Sequence, residues 1–313
     1  MKSLLKSALV FAGIGLLLYG AVYYASERLV YRTGDSNPFF KIATAEDRAY
    51  DWMILGASHA MPLDFADFNA QMERETGLRI LNLATPGTGP LYNRFVLERF
   101  LKRYRARRVL YVLDSFAFYS AQWNEDRFAD AKLLRRTPFD PALAWQFLRY
   151  SLDEGVQATA VLDYVTGFSK INNRERFKPD IWEGENKFDR VARPSAAADR
   201  KRIEYLYPEA APDPAAFSRY LAVMETLIAL ARQDDALVVV IKMPVPARFY
   251  SQLPHEAAFN DAISQLLAAD NVPFHDFSGE MDEPRYYFDT DHLNRAGLTA
   301  FFSRYLKAVF VGN

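Results

Sequence analysis

Two short segments far apart in the chain hold side chains able to do covalent chemistry together. The first is Gly56-Ala57-Ser58-His59-Ala60, with Pro62 behind it, and the second is Asp289-Thr290-Asp291-His292-Leu293-Asn294. A carboxylate three residues ahead of a histidine in a tight turn can accept from one imidazole nitrogen, leaving the other free to take a serine proton. A serine at the start of a helix presents its hydroxyl where backbone N–H groups and the helix dipole favour a developing negative charge. The plain alternative is that Ser58 merely caps a helix, and that Asp289 and His292 are a chance pairing in a chain with four histidines. The site reading gains weight from position: Ser58 follows the first strand of an alternating pattern, and His292 precedes its last helix. Asn294 is placed to cap that helix and so to fix the turn holding His292. In the segment from Asn82 to Gly89, Gly87 can bring its backbone N–H close to a ligand, as a candidate oxyanion donor beside Ser58.

The elements that have to position these groups are short apolar runs alternating with segments of helical period, the signature of a parallel sheet flanked by helices. Five runs qualify as strands: Asp51–Leu55, Arg79–Leu83, Val109–Leu113, Leu237–Met243 and Pro273–Phe277. Helices are expected over Asp64–Thr76, Leu91–Tyr104, Pro214–Arg232, Glu256–Ala269 and Arg295–Val309. The fold class is therefore α/β, a three-layer sandwich around a parallel, flavodoxin-like sheet of about five strands. In such sheets ligands bind beyond the carboxyl ends of the strands, where all of the segments above fall.

From about 120 to 212 the rhythm breaks, with mixed charge, many aromatics and no clear strand, which predicts an inserted helical subdomain. Its aromatics (Trp123, Phe128, Trp145, Phe147, Tyr150, Tyr164, Phe168, Phe177, Trp182 and Phe188) either line an acceptor groove or form a core of their own. The organisation expected is an anchor over 1–30, a linker over 31–50 and an enzyme-like domain over 51–313 that carries the insertion.

With 313 residues, 50% of them hydrophobic and 25% charged, the chain has the composition of a folded globular protein. A net charge of -1 gives no attraction for a phosphate backbone, so nucleic acid is not expected as a partner. The absence of cysteine removes disulfides, thiolate metal sites and a cysteine nucleophile together. Ala8 to Ala25 is an uncharged apolar run of roughly 18 residues, about the minimum for a spanning helix. Lys2 and Lys6 precede it, and the positive-inside rule leaves the N-terminus in the cytoplasm and the rest outside; Arg28 and Arg32 dilute that asymmetry. Tyr residues two places before Ala25 and Ala21 make poor signal-cleavage sites, so an uncleaved single-pass plasma-membrane anchor is expected. Tyr19, Tyr23 and Tyr24 lie at its exit end, where amphipathic rings favour the headgroup region.

Taken together, Gly56-Ala57-Ser58, Gly87 and Asp289-Thr290-Asp291-His292 resemble the blocks of the SGNH, or GDSL-like, hydrolase superfamily. The N-terminal anchor, the Gly-Ala-Ser-His start and the large insertion are most similar to its envelope branches, including the D-alanyl-lipoteichoic-acid transfer protein and the alginate O-acetylation proteins. The resemblance implies a catalytic Ser58, Asp289 and His292, an oxyanion hole from Ser58 and Gly87, and no cofactor or metal. It also implies an extracytoplasmic esterase or O-acyltransferase, with an envelope glycan or lipid as substrate and a membrane-bound O-acyltransferase as candidate partner. One block departs. Where the family has an asparagine after the third strand, this chain has Val112-Leu113-Asp114-Ser115-Phe116, and an ionised carboxylate offers no donor. Asn82, Asn93 or His59 could then supply the donor, Ser115 could occupy the position, and Asp114→Asn would speed hydrolysis if Asp114 stands there.

The expected chemistry is transfer or hydrolysis of an ester-linked acyl group on cell-envelope polysaccharide through an acyl-enzyme on Ser58, with His59 touching substrate. Three alternatives stand beside it: a lipid esterase, a non-catalytic partner of a membrane acyltransferase, and a divalent-metal site built from Asp289, Asp291, His292 and His59. His255 and His275 are expected to be structural, and the basic run Lys102 to Arg108 to be a solvated helix end.

Overall fold

Strands buried on both faces need near-continuous Val, Ile and Leu, and the apolar runs of this chain assemble on that principle into one sheet. The computed structural model describes residues 2–208 and 213–312. Two compact units divide the chain: Met1–Thr44 with Phe128–Asp180, and Ala45–Arg127 with Ile181–Asn313.

The second unit is the α/β domain. Its strands are β1 Ala49–Gly56, β2 Ile80–Asn82, β3 Arg105–Val112, β4 Leu237–Lys242 and β5 Phe274–Asp276. All pair in parallel in the order β2-β1-β3-β4-β5. This is the flavodoxin-like order, whose strand sequence reverses between β1 and β3 and opens a crevice there. The period-2 alternation sends Trp52, Ile54, Leu110, Val112 and Ile241 into one core with Phe68, Met72, Phe301, Phe302, Leu306 and Phe310. Met53, Leu55, Val109, Tyr111 and Val240 are buried on the opposite face, where helices Pro90–Leu101 and Pro214–Gln233 pack on each other and on the sheet. Trp52 also donates its indole N–H to the Phe310 carbonyl at 3.2 Å, tying the first strand to the last helix.

Helix Glu256–Ala269 has the expected bounds, and three other elements differ for local reasons. The segment expected as one helix over Asp64–Thr76 is a 3-10 turn, Met61–Asp64, followed by helix Phe68–Thr76, because Ala66 between them has φ +52. The last helix is interrupted by a π-helical turn at Phe302–Leu306. Arg105, Arg107 and Arg108 belong to β3 rather than to a helix end, because Arg105 pairs with Ala49 and Arg108 with Trp52. Only Lys102 and Arg103 close the preceding helix.

The first unit is helical. Its long helix Lys2–Thr33 has mean hydropathy 1.8 over its most apolar window, none of it buried, and is long and apolar enough to cross a membrane. Helices Pro38–Thr44, Pro141–Asp153 and Ala158–Thr166 accompany it. Phe128, Phe147, Tyr150 and Tyr164 are buried there, with the Phe147 and Tyr164 rings stacked at 4.8 Å. The aromatics of the expected insertion thus divide: these four form a helical core, Trp145, Phe168 and Phe177 are exposed, and Trp123, Trp182 and Phe188 lie in the α/β domain. The expected end of the insertion, at 212, lies outside the described residues.

Candidate active site

Ser58 is delivered by a turn that only glycine allows. Gly56 ends β1 at φ +145, and a Cβ there would come within 2.7 Å of the Val112 carbonyl oxygen, so β1 can leave the sheet this close to β3 only without a side chain. Asn93 accepts from the Gly56 N–H at 3.0 Å, and the Gly56 carbonyl accepts from the Thr85 N–H at 3.1 Å. The turn continues through hydrogen bonds from Ala60 N–H to Ala57 and from Met61 N–H to Ser58. Ser58 is nearly buried, at 5% exposure.

The partner turn is held as tightly. Asn294 accepts from the Gly297 N–H at 2.9 Å and caps helix Arg295–Phe301, while its amide donates to the Arg190 and Arg285 carbonyls. The Asp289 carboxylate accepts from the His292 backbone N–H at 2.9 Å and lies 3.0 Å from Nδ1 through both oxygens. With Nδ1–H directed to Asp289, the tautomer that fits leaves a lone pair on Nε2, which lies 2.9 Å from Ser58 Oγ. Serine, histidine and carboxylate from positions 58, 292 and 289 therefore form one continuous hydrogen-bonded row. Phe288 stacks on the His292 ring at 5.5 Å, and Trp182 meets it edge-on at 5.4 Å. Burial works against a charged Asp289, but the adjoining His292 outweighs it and holds the carboxyl below its ordinary value.

Behind this row lies a second one. His59 stacks on His292 with ring centroids 4.7 Å apart. Its Nδ1 is 2.5 Å from Asp114 and its Nε2 is 3.4 Å from Asp291, which is also 3.4 Å from His292 Nδ1. Arg202 meets both Asp291 oxygens, at 3.2 and 3.0 Å. Burial disfavours an imidazolium at His59, yet the charge and hydrogen bond of Asp114, with those of Asp291, push it up to about 10. Asp291 is completely buried, which resists ionisation, and Arg202 with the two histidines brings its carboxyl well below the usual range.

These contacts place the remaining candidates. Asp114 follows β3, where its carboxylate lies 2.5 Å from His59 Nδ1, a partner that the expected acceleration by Asp114→Asn did not include. Ser115, the neighbouring choice, donates to Glu256 at 2.5 Å and contacts the Tyr207 hydroxyl at 2.8 Å. Asn82 donates its amide to the Ala60 carbonyl at 2.8 Å and accepts from the Ala84 N–H, and the Asn93 amide donates to the Gly89 carbonyl at 2.9 Å, so both shape loops. His59 is 7% exposed, close to the 5% of Ser58, and lies against the His292 ring. Gly87 has φ +64 and a Trp123 ring 2.9 Å from where a Cβ would be, so the loop after β2 needs glycine for its path. His275 lies in β5, and His255 directly precedes helix Glu256–Ala269 without a side-chain capping bond.

His59, Asp291 and His292 each place a ligand atom within 4.8 Å of the others, close enough to share an ion. The donor set argues against one: Arg202 already neutralises the only carboxylate in it, and His292 is engaged at Nδ1 by Asp289 and at Nε2 by Ser58. Arg202 and the structural role of Asp291 left no trace in the sequence pattern, because Arg202 reaches the site from 89 residues away. Trp182 and Phe288 were likewise indistinguishable from other aromatics.

No protein-family model and no curated protein matches the chain. Among solved structures it is similar to a suspected acylhydrolase from Bacteroides fragilis, at 10% identity and a TM-score of 0.40, over 86% of this chain and 92% of that one.

Proposed function

We propose that this protein is a serine-dependent acyl-transfer enzyme of the SGNH-hydrolase type, acting on ester-linked acyl groups. The observation that supports this most is the unbroken row Asp289–His292–Ser58, with 3.0 and 2.9 Å between successive partners, at the strand-order switch of a flavodoxin-like sheet. In the proposed reaction His292 Nε2 takes the Ser58 proton as Oγ bonds to the ester carbonyl carbon. The carbonyl electron pair moves onto oxygen, where the Ser58 and Gly87 N–H groups are the proposed donors. The tetrahedral intermediate collapses, the ester C–O bond breaks, and the alcohol leaves with the proton held by His292. In the second half, His292 deprotonates an incoming hydroxyl, which takes the acyl carbon from Oγ while the proton returns to Ser58.

The incoming hydroxyl belongs to water in an esterase and to a sugar in a transferase. The apolar N-terminal helix favours a site held beside the membrane, where envelope polysaccharide is the acyl acceptor or donor and a membrane-bound O-acyltransferase would supply acyl groups. Fluorophosphonate treatment of the purified full-length protein tests the reading. Ser58 should become covalently modified, the modification should require His292, and a chelator should leave it unchanged. Activity that disappears in chelator and ignores fluorophosphonate would refute it in favour of metal chemistry.

A further inference from the structure

On and directly after two helices of the helical unit, six large apolar side chains are exposed. On helix Pro141–Asp153, Trp145, Leu148 and Leu152 are 66%, 38% and 76% exposed. Their spacing of three and then four residues makes one stripe, opposite the buried Leu143, Phe147 and Tyr150. On and just beyond helix Ala158–Thr166, Leu162, Val165 and Phe168 are exposed as well. An apolar stripe of this size on a folded unit marks something that covers it.

The long N-terminal helix shows what that is. Within the same unit, the Tyr19 hydroxyl donates to the Thr166 carbonyl at 2.8 Å, and a Cβ on Gly167 would meet the Tyr23 ring. Further along the helix, Glu27 pairs with Lys170, and Thr33 accepts from Arg136. Thr166 is therefore level with position 19, which is six residues inside the apolar run that ends at Ala25. At 1.5 Å per residue that is about 9 Å below the end of the run, the depth of the headgroup and upper acyl region. Leu162, Val165 and Phe168 all lie within about one turn of Thr166, and the Phe147–Tyr164 stack holds the other helix beside them.

We infer that the helical unit is a monotopic membrane-docking surface: Trp145, Leu148, Leu152, Leu162, Val165 and Phe168 seat in the lipid interface around the emerging N-terminal helix. The inference rests on that helix spanning the bilayer. It gives the insertion a physical task, clamping the anchor at a fixed depth so that the chain leaves the membrane at a defined height.

The cysteine-free sequence makes the test direct. Single variants Ile14→Cys, Leu152→Cys, Phe168→Cys and Leu237→Cys of the full chain are spin-labelled and placed in nanodiscs of phosphatidylcholine and phosphatidylglycerol. Collision with oxygen, which partitions into lipid, is compared with collision with a water-soluble nickel chelate. The ratio at 152 and 168 should lie nearer to that at 14 than to that at 237. Water-like ratios at 152 and 168 with a lipid-like ratio at 14 would overturn the docking surface and leave the anchor intact. A water-like ratio at 14 would overturn both. Labels that are water-like in nanodiscs but shielded from both reagents in native membranes would overturn lipid as the occupant and point to a protein.

Discussion

Replacing Asp114 with asparagine tests whether the stacked His59 is a permanent imidazolium. In the wild type the folded-state affinity of His59 for its proton is raised from 6.5 to about 10, against burial and chiefly by Asp114. A raised folded value stabilises the protein fully below the unfolded value near 6.5, and that stability is lost as pH climbs through about 10. Each tenfold change in proton affinity is about 1.4 kcal/mol, so the ceiling on the whole effect is ~5 kcal/mol, shared between Asp114 and Asp291. Removing one member of a buried pair ordinarily costs about 3–5 kcal/mol, and asparagine keeps one hydrogen-bond acceptor, so a loss of ~2–4 kcal/mol is expected at pH 6. For a domain of this size that lowers the melting temperature by roughly 5–15 °C. Thermal unfolding of detergent-solubilised wild type and Asp114→Asn, followed by fluorescence of the buried Trp52 and Trp123, measures it at pH 6 and pH 10.5. The difference between the proteins should be large at pH 6 and should shrink at pH 10.5, where wild-type His59 has given up its proton. An equal loss at both pH values, or a His59 ring resonance titrating near neutrality, would refute the imidazolium and with it the electrostatic account of the second row.

Other outcomes follow from the same geometry. Ser58→Ala and His292→Ala should abolish hydrolysis of small acetyl esters equally, and the double variant should be no slower than either single one, because the row acts as a unit; additive partial losses would break the assignment. Asp289→Asn should be milder than Ser58→Ala, with a fall of about 10²–10⁴-fold in turnover from mis-orientation of His292; unchanged turnover would move the orienting role to Asp291, 3.4 Å from the same nitrogen. Gly56→Ala should destabilise the α/β domain by ~2–4 kcal/mol, since φ +145 is strained for alanine and its Cβ would meet the Val112 backbone; an unchanged melting temperature would contradict the argument that β1 needs glycine at its end.

The sequence by itself determined the parts of this protein that repeat with a period or lie close along the chain. The central strands were legible as nearly continuous apolar runs, as a strand covered on both faces requires, and the short edge strands from their alternation with segments of helical period. The pairing of Asp289 with His292 was legible because three residues of tight turn bring the two side chains together, and Asn294 announced the cap that holds them. The N-terminal helix was legible from length and the absence of charge. Tertiary structure alone decided what depends on contacts between distant segments. Nothing local to Asp114 or His59 says that they bond to each other across 55 positions, so the carboxylate read as a defect in an oxyanion hole has a buried imidazole as its hydrogen-bond partner. Arg202 reaches Asp291 by the same kind of long-range approach. The fate of the aromatic-rich insertion was undetermined for a further reason: burial is set by neighbours, and composition is the same for a ring that packs in a core, as Phe147 does, and for one that faces outward, as Trp145 does.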